Sequence, residues 1–168
     1  ATDNGLNNFD INNKTIQTFL TRDSEGMSNK SASILYIHKD GDILWLGTKN
    51  GLIKYIPSTE EVWFYNFNKQ KQAKDFFIYS IAQSPEGIIW LATKQGVISF
   101  NPVNEEFYIE KNLLSKNEKE ANTYIKYHNN LLWLGYSDRL DTFDIKKKSK
   151  KTVVRFEQHQ RHYDLSLT

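Results

Sequence analysis

The segment Ile43–Thr48, which reads ILWLGT, is the most informative part of the sequence because two similar segments follow it along the chain. The copies read IIWLAT at Ile88–Thr93 and LLWLGY at Leu131–Tyr136. Their tryptophans are 45 and then 43 residues apart, a period typical of repeat proteins. Nearly every position in the three segments is apolar, whereas a strand with one wet face would alternate. We therefore expect each segment to be a β-strand that is covered on both faces.

Each copy is the second strand of a predicted four-stranded unit. Turn signals separate it from a first and a third strand, and Asn50-Gly51 is a strong hairpin signal because both residues tolerate positive φ. A small residue five positions into each copy suits the close approach of a neighbouring backbone. The residues expected to form the structural core of the units are Trp45, Trp90, Trp133, Gly47, Gly135, Gly51 and Gly96.

The repeat predicts an all-β chain, a β-propeller fragment of about three and a half four-stranded blades. Residues 1–22 match the last two strands of a unit, because Asn4-Gly5-Leu6 precedes Phe9 as Asn50-Gly51-Leu52 precedes Tyr55. The expected divisions are a partial blade at 1–22, blades at 31–67, 78–111 and 123–156, and a tail or the start of the next blade at 157–168. A β-sandwich is the alternative, but it leaves the repeated tryptophan register unexplained.

Composition excludes several functional classes. The 168 residues carry a net charge of +2, too small to indicate nucleic-acid binding, and the lysines at 146–151 are expected in a solvated turn. There is no cysteine, which excludes disulfides and thiolate metal sites. The apolar runs are far shorter than the roughly 20 residues of a membrane span, and no signal peptide is recognisable. Because the sequence starts at Ala1 and its single methionine is Met27, we expect a processed or trimmed piece.

The best-preserved unit, Ile43–Pro57, resembles the two-component regulator propeller repeat. It has an apolar pair, Trp-Leu-Gly-Thr, a two-residue turn, Gly-Leu, an aromatic residue and a proline. Ile88–Pro102 follows the same pattern with alanine in place of the first glycine. Leu131–Asp144 departs further, with Tyr136 in place of threonine and Arg139 in place of the turn glycine. The resemblance covers most of the chain.

The resemblance implies a function that spacing alone does not. Such repeats form the periplasmic sensor domain of hybrid two-component systems, which combine a histidine kinase with a response regulator. These sensors detect glycan fragments and control polysaccharide-utilisation genes. The resemblance also implies a parent chain that continues into a membrane helix, a kinase, a receiver and a DNA-binding domain. Phosphorelay, membrane tethering and DNA contact would then belong to those parts, and we expect this segment to be neither an enzyme nor a nucleic-acid binder.

An arc of this length would be an incomplete ring. The resemblance implies about seven blades per ring, so about three and a half would leave blade faces uncovered. We expect the chain to self-associate through those faces as a homodimer, and the alternative is an excised fragment that packs through exposed blades. Strand exchange between the partial blade and the tail Tyr163–Thr168 is one way to close the assembly.

Catalytic and metal-binding patterns are weak. His159 and His162 have no third ligand spaced with them, so an exposed tail explains them better than a metal site. Glu60-Glu61 and Glu105-Glu106 recur at one place in the repeat, which predicts a turn composition rather than a pair of glycosidase carboxylates. The sequence has no G-x-S-x-G, no G-x-G-x-x-G and no P-loop. We therefore expect no catalytic residue, no metal and no cofactor.

Candidate ligand-binding residues lie in the turns between second and third strands: Lys49, Asn50, Lys94, Gln95, Asp138 and Arg139. Their amide, cationic and carboxylate groups suit the hydroxyls or uronates of an oligosaccharide. The predicted loops Asn68–Phe77 and Asn112–Asn122 enter blades at the same end, and long loops on a rigid scaffold often carry recognition. The alternatives to a sensor are a polysaccharide lyase or hydrolase and a protein-binding scaffold.

Overall fold

The computed structural model of the chain describes residue 2 and residues 4–21, 33–66, 77–114 and 123–156. All fourteen elements in this part of the chain are β-strands, which confirms the predicted all-β class. Within the same ranges there is no helix with the length and apolar character needed to cross a membrane. The predicted tail Tyr163–Thr168 and the histidines His159 and His162 lie outside the described residues.

The strands form one two-stranded sheet and three four-stranded sheets, all antiparallel and all in chain order. The half sheet contains β1 (Leu6–Asp10) and β2 (Thr15–Phe19). Sheet 1 contains β3 (Ile34–Asp40), β4 (Ile43–Thr48), β5 (Gly51–Ile56) and β6 (Glu61–Tyr65). Sheet 2 contains β7 (Ile78–Gln83), β8 (Ile89–Thr93), β9 (Gly96–Asn101) and β10 (Glu106–Leu114). Sheet 3 contains β11 (Tyr124–His128), β12 (Leu131–Gly135), β13 (Arg139–Asp144) and β14 (Ser149–Arg155).

The repeat is visible in the backbone as well as in the sequence. The residue before the last strand of each sheet has a positive φ, which is uncommon outside glycine. These residues are Lys14 (54°), Glu60 (59°), Glu105 (56°) and Lys148 (50°). A positive φ thus recurs at the same place in all four sheets, as expected if the half sheet corresponds to the third and fourth strands of the others. The paired glutamates lie at this turn, where one of each pair begins the fourth strand.

The two-sided apolar character of the tryptophan strands has a direct cause in the packing between sheets. Trp45 lies in a buried cluster between sheets 1 and 2, and Leu46 lies in another between sheet 1 and the half sheet. Trp90 packs toward sheet 3, whereas Leu91 packs toward sheet 1. Each tryptophan therefore faces the following sheet, and the leucine after it faces the preceding one. Trp133, whose face is not covered by any sheet in the described ranges, is only half-buried.

Sheets 1 and 2, and sheets 2 and 3, meet mainly through their first strands, which are β3, β7 and β11. Between β7 and β11, the Ser80 hydroxyl accepts a hydrogen bond from the Ile125 amide at 3.3 Å. The same hydroxyl donates to the Ile125 carbonyl at 3.4 Å. Between β3 and β7, the Gln83 side chain bonds to His38 and to Asp40. Because these partners are 43 to 45 residues apart, the sheets stack in one orientation. The turns β4–β5, β8–β9 and β12–β13 consequently lie at one common end, here named the turn end.

The β4–β5 hairpin forms as the Asn50-Gly51 signal predicts, and only the glycine of the pair has a positive φ. Gly51 has a φ of 131°, but Asn50 is not among the positive-φ residues, and the two turn residues are Lys49 and Asn50. The glycine is needed for a second reason. A Cβ on Gly51 would lie 2.5 Å from the Tyr65 carbonyl oxygen, so a side chain would collide with the neighbouring strand.

Three further expectations need correction. The small residues were expected where a neighbouring sheet approaches closely. This holds at Gly47, where an added Cβ would lie 2.7 Å from Ile78 of sheet 2. It does not hold at Gly135, where the nearest atom belongs to Tyr124 of the same sheet. Residues 112–114, expected in a loop, belong to β10, where Leu113 is buried against sheet 3. In the lysine run, the last two lysines lie in β14 rather than in the turn, and both are exposed.

Candidate functional site

At the turn end of sheets 1 and 2, a threonine hydroxyl makes the same two hydrogen bonds to uncharged backbone groups. In sheet 1 the Thr48 hydroxyl donates to the Gly51 carbonyl at 2.9 Å and accepts from the amide of the second turn residue at 2.9 Å. In sheet 2 the Thr93 hydroxyl donates to the Gly96 carbonyl at 2.8 Å and accepts the equivalent amide at 3.2 Å. Both hydroxyls are buried, so these bonds satisfy groups that water does not reach.

Four of the predicted ligand-binding residues are the turn residues of these two sheets. Lys49 and Asn50 connect β4 to β5, and Lys94 and Gln95 connect β8 to β9. All four are half-buried. The Lys94 ammonium lies 5.9 Å from the centre of the Phe77 ring, within the range of a cation–π contact. The structure thus places these residues at one end of successive sheets, in two separate turns.

Sheet 3 departs from this pattern at three positions. Tyr136 stands where the other sheets have the closing threonine, and Arg139 stands where they have the turn glycine. Asp141 pairs with Leu134 as Ile53 pairs with Leu46 and Ile98 with Leu91. An acid therefore occupies a position that is apolar core in both other sheets.

The side chains of Asp138, Arg139, Asp141 and Arg155 form one hydrogen-bonded group, here named the charged cluster. Arg139 Nε donates to Asp141 Oδ2 at 3.1 Å, and Arg139 Nη1 donates to Asp138 Oδ1 at 2.9 Å. Arg155 Nη1 donates to Asp138 Oδ2 at 3.3 Å. The Arg139 guanidinium lies 4.0 Å above the centre of the Tyr136 ring. Of the predicted site residues, Asp138 and Arg139 are thus joined directly by the fold.

Burial sets the energetic character of the cluster. Asp141 is 0% exposed, and its Oδ1 has no hydrogen-bond partner among the described residues. The Arg139 side chain is 14% exposed. Its burial opposes the charged form, but the hydrogen bond and charge of Asp141, helped by Asp138, raise the Arg139 pKa above its usual value. A buried ion pair of this kind is often no more stabilising than the apolar residues it replaces, so stability alone does not account for it.

The charged cluster together with the neighbouring Lys150 carries a net positive charge. Lys150 Nζ lies 3.9 Å from Asp141 Oδ2. Arg139, Arg155 and Lys150 then supply three cations against the two carboxylates. Among the described residues there is no group of three or more His, Asp or Glu side chains placed to hold a metal ion. The arrangement suits recognition of an anionic or hydroxyl-rich ligand.

Sequence reasoning singled out Asp138 and Arg139 but missed Asp141, Arg155 and the role of Tyr136. Aligning the three third strands by their tryptophans would have shown that Asp141 stands at the position of Ile53 and Ile98. The sequence alone therefore contained a signal for this residue. Arg155 carries no such signal, because its place beside Arg139 depends on a register shift between β13 and β14.

The fold is shared with the extracellular domains of two proteins from B. thetaiotaomicron that are assigned to hybrid two-component systems. BT4673 matches with a TM-score of 0.72 at 18% identity over 92% of this chain and 20% of its own. BT3049 matches with a TM-score of 0.71 at 20% identity over 92% of this chain and 22% of its own. PorZ, a surface component of the type-IX secretion system of Porphyromonas gingivalis, matches at 0.59 and 9% identity over 85% of this chain.

These structures share the all-β architecture of antiparallel sheets that the strands of this chain form. No family model matches the sequence, and no curated protein matches it. The chain spans about a fifth of the length of the structures it resembles.

Proposed function

We propose that this chain is an extracytoplasmic sensor segment of a hybrid two-component system, and that its half sheet and sheets 1 to 3 are a partial blade and three consecutive blades of a β-propeller. The observation that carries the proposal is the superposition on two extracellular domains assigned to such systems, over 92% of the chain. The blade arrangement is supported by sheets that stack in one orientation and meet through their first strands, as blades do around an axis.

The proposed ligand is a glycan fragment released during polysaccharide utilisation. The turn end offers the mixture of groups that sugar recognition uses: amides, cations, carboxylates and an aromatic ring. These groups sit at the ends of rigid strands, which favours a pre-formed site over one ordered by the ligand. In the same proposal the segment lies in the periplasm, is not an enzyme, and connects to the membrane and to the phosphorelay only through other parts of its parent.

Signal transfer in this proposal depends on association between copies. The Trp133 face of sheet 3 is uncovered by the described residues, and on the half sheet Phe9 is 55% exposed. The equivalent aromatic residues Tyr55, Phe100 and Phe143 are buried. A homodimer that covers such faces has more than one arrangement. A ligand would shift the balance between arrangements by the difference in its affinity for each.

Titration calorimetry against a panel of oligosaccharides, with chromatography of the saccharides afterwards, tests the proposal. We expect one saccharide class to bind and to be recovered unchanged. Cleavage of any saccharide would contradict the sensor proposal and would indicate a polysaccharide lyase or hydrolase. If no saccharide in the panel binds, the result would favour a scaffold that binds only proteins.

A further inference from the structure

One carboxylate at the turn end of sheet 3 is held between two arginines. Asp138 Oδ1 receives a bond from Arg139, and Asp138 Oδ2 receives one from Arg155, at 2.9 and 3.3 Å. Asp138 lies in the turn between β12 and β13, and its side chain is 34% exposed. The Arg155 side chain is 67% exposed. The carboxylate can therefore move into solvent by a change confined to the turn and its own side chain.

Arg139 does not depend on Asp138 for its position. Its Nε is bonded to Asp141, and its guanidinium lies against the Tyr136 ring. Neither contact involves Asp138, so the guanidinium would keep both supports, and the direction of its remaining N–H groups, if Asp138 turned away. A guanidinium held in this way binds a planar oxyanion with little further loss of side-chain freedom.

The buried acid gives a second and independent reason to regard this end as a site. Asp141 replaces an apolar residue, is fully buried, and has one oxygen without a partner among the described residues. The closing threonines of sheets 1 and 2 show that the turn end needs no charge to fold. The Asp141 carboxylate holds Arg139 in place as a positioning group, and the orientation of Arg139 is what the buried charge provides.

We propose that Asp138 occupies the place of a ligand carboxylate, and that an acidic saccharide binds sheet 3 by displacing Asp138 from Arg139 and Arg155. That the ligand is a saccharide rests on the proposed function. That it carries a carboxylate follows from the two guanidiniums, which present paired donors to such a group. The exchange replaces one carboxylate with another, so the buried Arg139–Asp141 pair stays intact and the displaced group enters water.

The test is a gain of affinity on removal of a charge. Calorimetry would compare galacturonate and glucuronate oligosaccharides with their neutral galactose and glucose counterparts, and with sodium sulfate. Asp138→Asn, which gives sheet 3 the amide that sheet 1 has at Asn50, should bind the acidic oligosaccharides about tenfold more tightly than the unaltered chain. Arg155→Gln should bind them about tenfold more weakly. Lys151→Gln, which removes a cation elsewhere on β14, is the matched control and should change affinity less than about twofold.

Each outcome of this test has a defined meaning. Weaker or unchanged binding by Asp138→Asn, with the fold intact by circular dichroism, would overturn the displacement proposal. Equal binding of acidic and neutral oligosaccharides would overturn it while leaving the sensor proposal standing. Sulfate binding as tight as that of the oligosaccharides would also overturn it, because any anion would then suffice. Failure of all of these oligosaccharides to bind would overturn the displacement proposal, and failure of every saccharide in the wider panel would overturn the sensor proposal as well.

Discussion

Sheets 2 and 3 have the same strand order and the same register around their tryptophans, but they end in different chemistry. Sheet 2 is covered on both faces, and its turn end is closed by one buried threonine hydroxyl on the Gly96 carbonyl. Sheet 3 is covered on the face toward sheet 2, and its turn end is a buried arginine–aspartate pair. Sheet 2 shows that neutral groups are enough to fold a turn end, and the oriented charge of sheet 3 is what the proposed binding site would add.

The largest expected effect concerns the two tryptophans. Trp90→Ala should lower the free energy of unfolding by roughly 3 to 5 kcal/mol, because it opens a cavity between two sheets. Trp133→Ala should cost only about 1 to 2 kcal/mol, because the half-buried ring gains less from burial. Urea denaturation of the two variants side by side measures the difference.

The same pair of variants bears on association. If a second copy covers the Trp133 face, Trp133→Ala should also shift the sedimentation velocity distribution toward the monomer, and Trp90→Ala should not while it remains folded. Equal losses of stability for the two variants, with no change in sedimentation, would contradict the view that the two sheets differ in coverage.

A smaller effect is expected at the turn glycine of sheet 2. Gly96 has a φ of 127°, and a Cβ there would lie 2.2 Å from the Leu113 carbonyl oxygen. Gly96→Ala should therefore destabilise the chain by about 1 to 3 kcal/mol in thermal or urea unfolding. Gly41→Asn is the control, because Gly41 has a φ of 58° with no atom near its Cβ position and asparagine tolerates that region. A loss of equal size at both positions would mean that the collision does not matter.

The smallest expected effect is that of the closing hydroxyl. Thr93→Val keeps the shape of the side chain but removes the hydrogen bonds to the Gly96 carbonyl and from the Gln95 amide, which should cost about 1 to 2 kcal/mol. Thr59→Val, whose hydroxyl bonds to Glu61 on the surface, should change stability by less than about 0.5 kcal/mol. If the two variants are equally stable, the neutral closure of sheet 2 contributes nothing.

How much of this could be read from the sequence depends on whether a feature repeats. The tryptophan strands, their two-sided burial and the four-strand unit were predictable because three copies reinforce one another. The charged cluster was not, because each of its members occurs once and its energetics depend on burial. The repeat register placed Asp141 at the position that Ile53 and Ile98 occupy in the other two sheets, but only the structure shows that Arg139 turns inward to pair with it.

The glycines show the same limit. Gly47 and Gly135 occupy equivalent places, but one meets the next sheet and the other meets its own neighbouring strand. A pattern in the sequence establishes that a small residue is required. It does not establish which atom makes it necessary.

The central claim is that the charged cluster serves recognition and does not stabilise the fold, and one urea unfolding experiment tests it most directly. The double variant Arg139→Gly with Asp141→Ile gives sheet 3 the residues that sheet 2 has at Gly96 and Ile98. We predict that it unfolds at the same or a higher urea concentration than the unaltered chain. The single variant Arg139→Ala removes the hydrogen-bonded partner of the buried Asp141 and leaves only the more distant Lys150 beside it, so it should lose roughly 3 to 5 kcal/mol. A double variant that loses as much stability as the single one would contradict the claim, because the ion pair would then be part of what holds sheet 3 together.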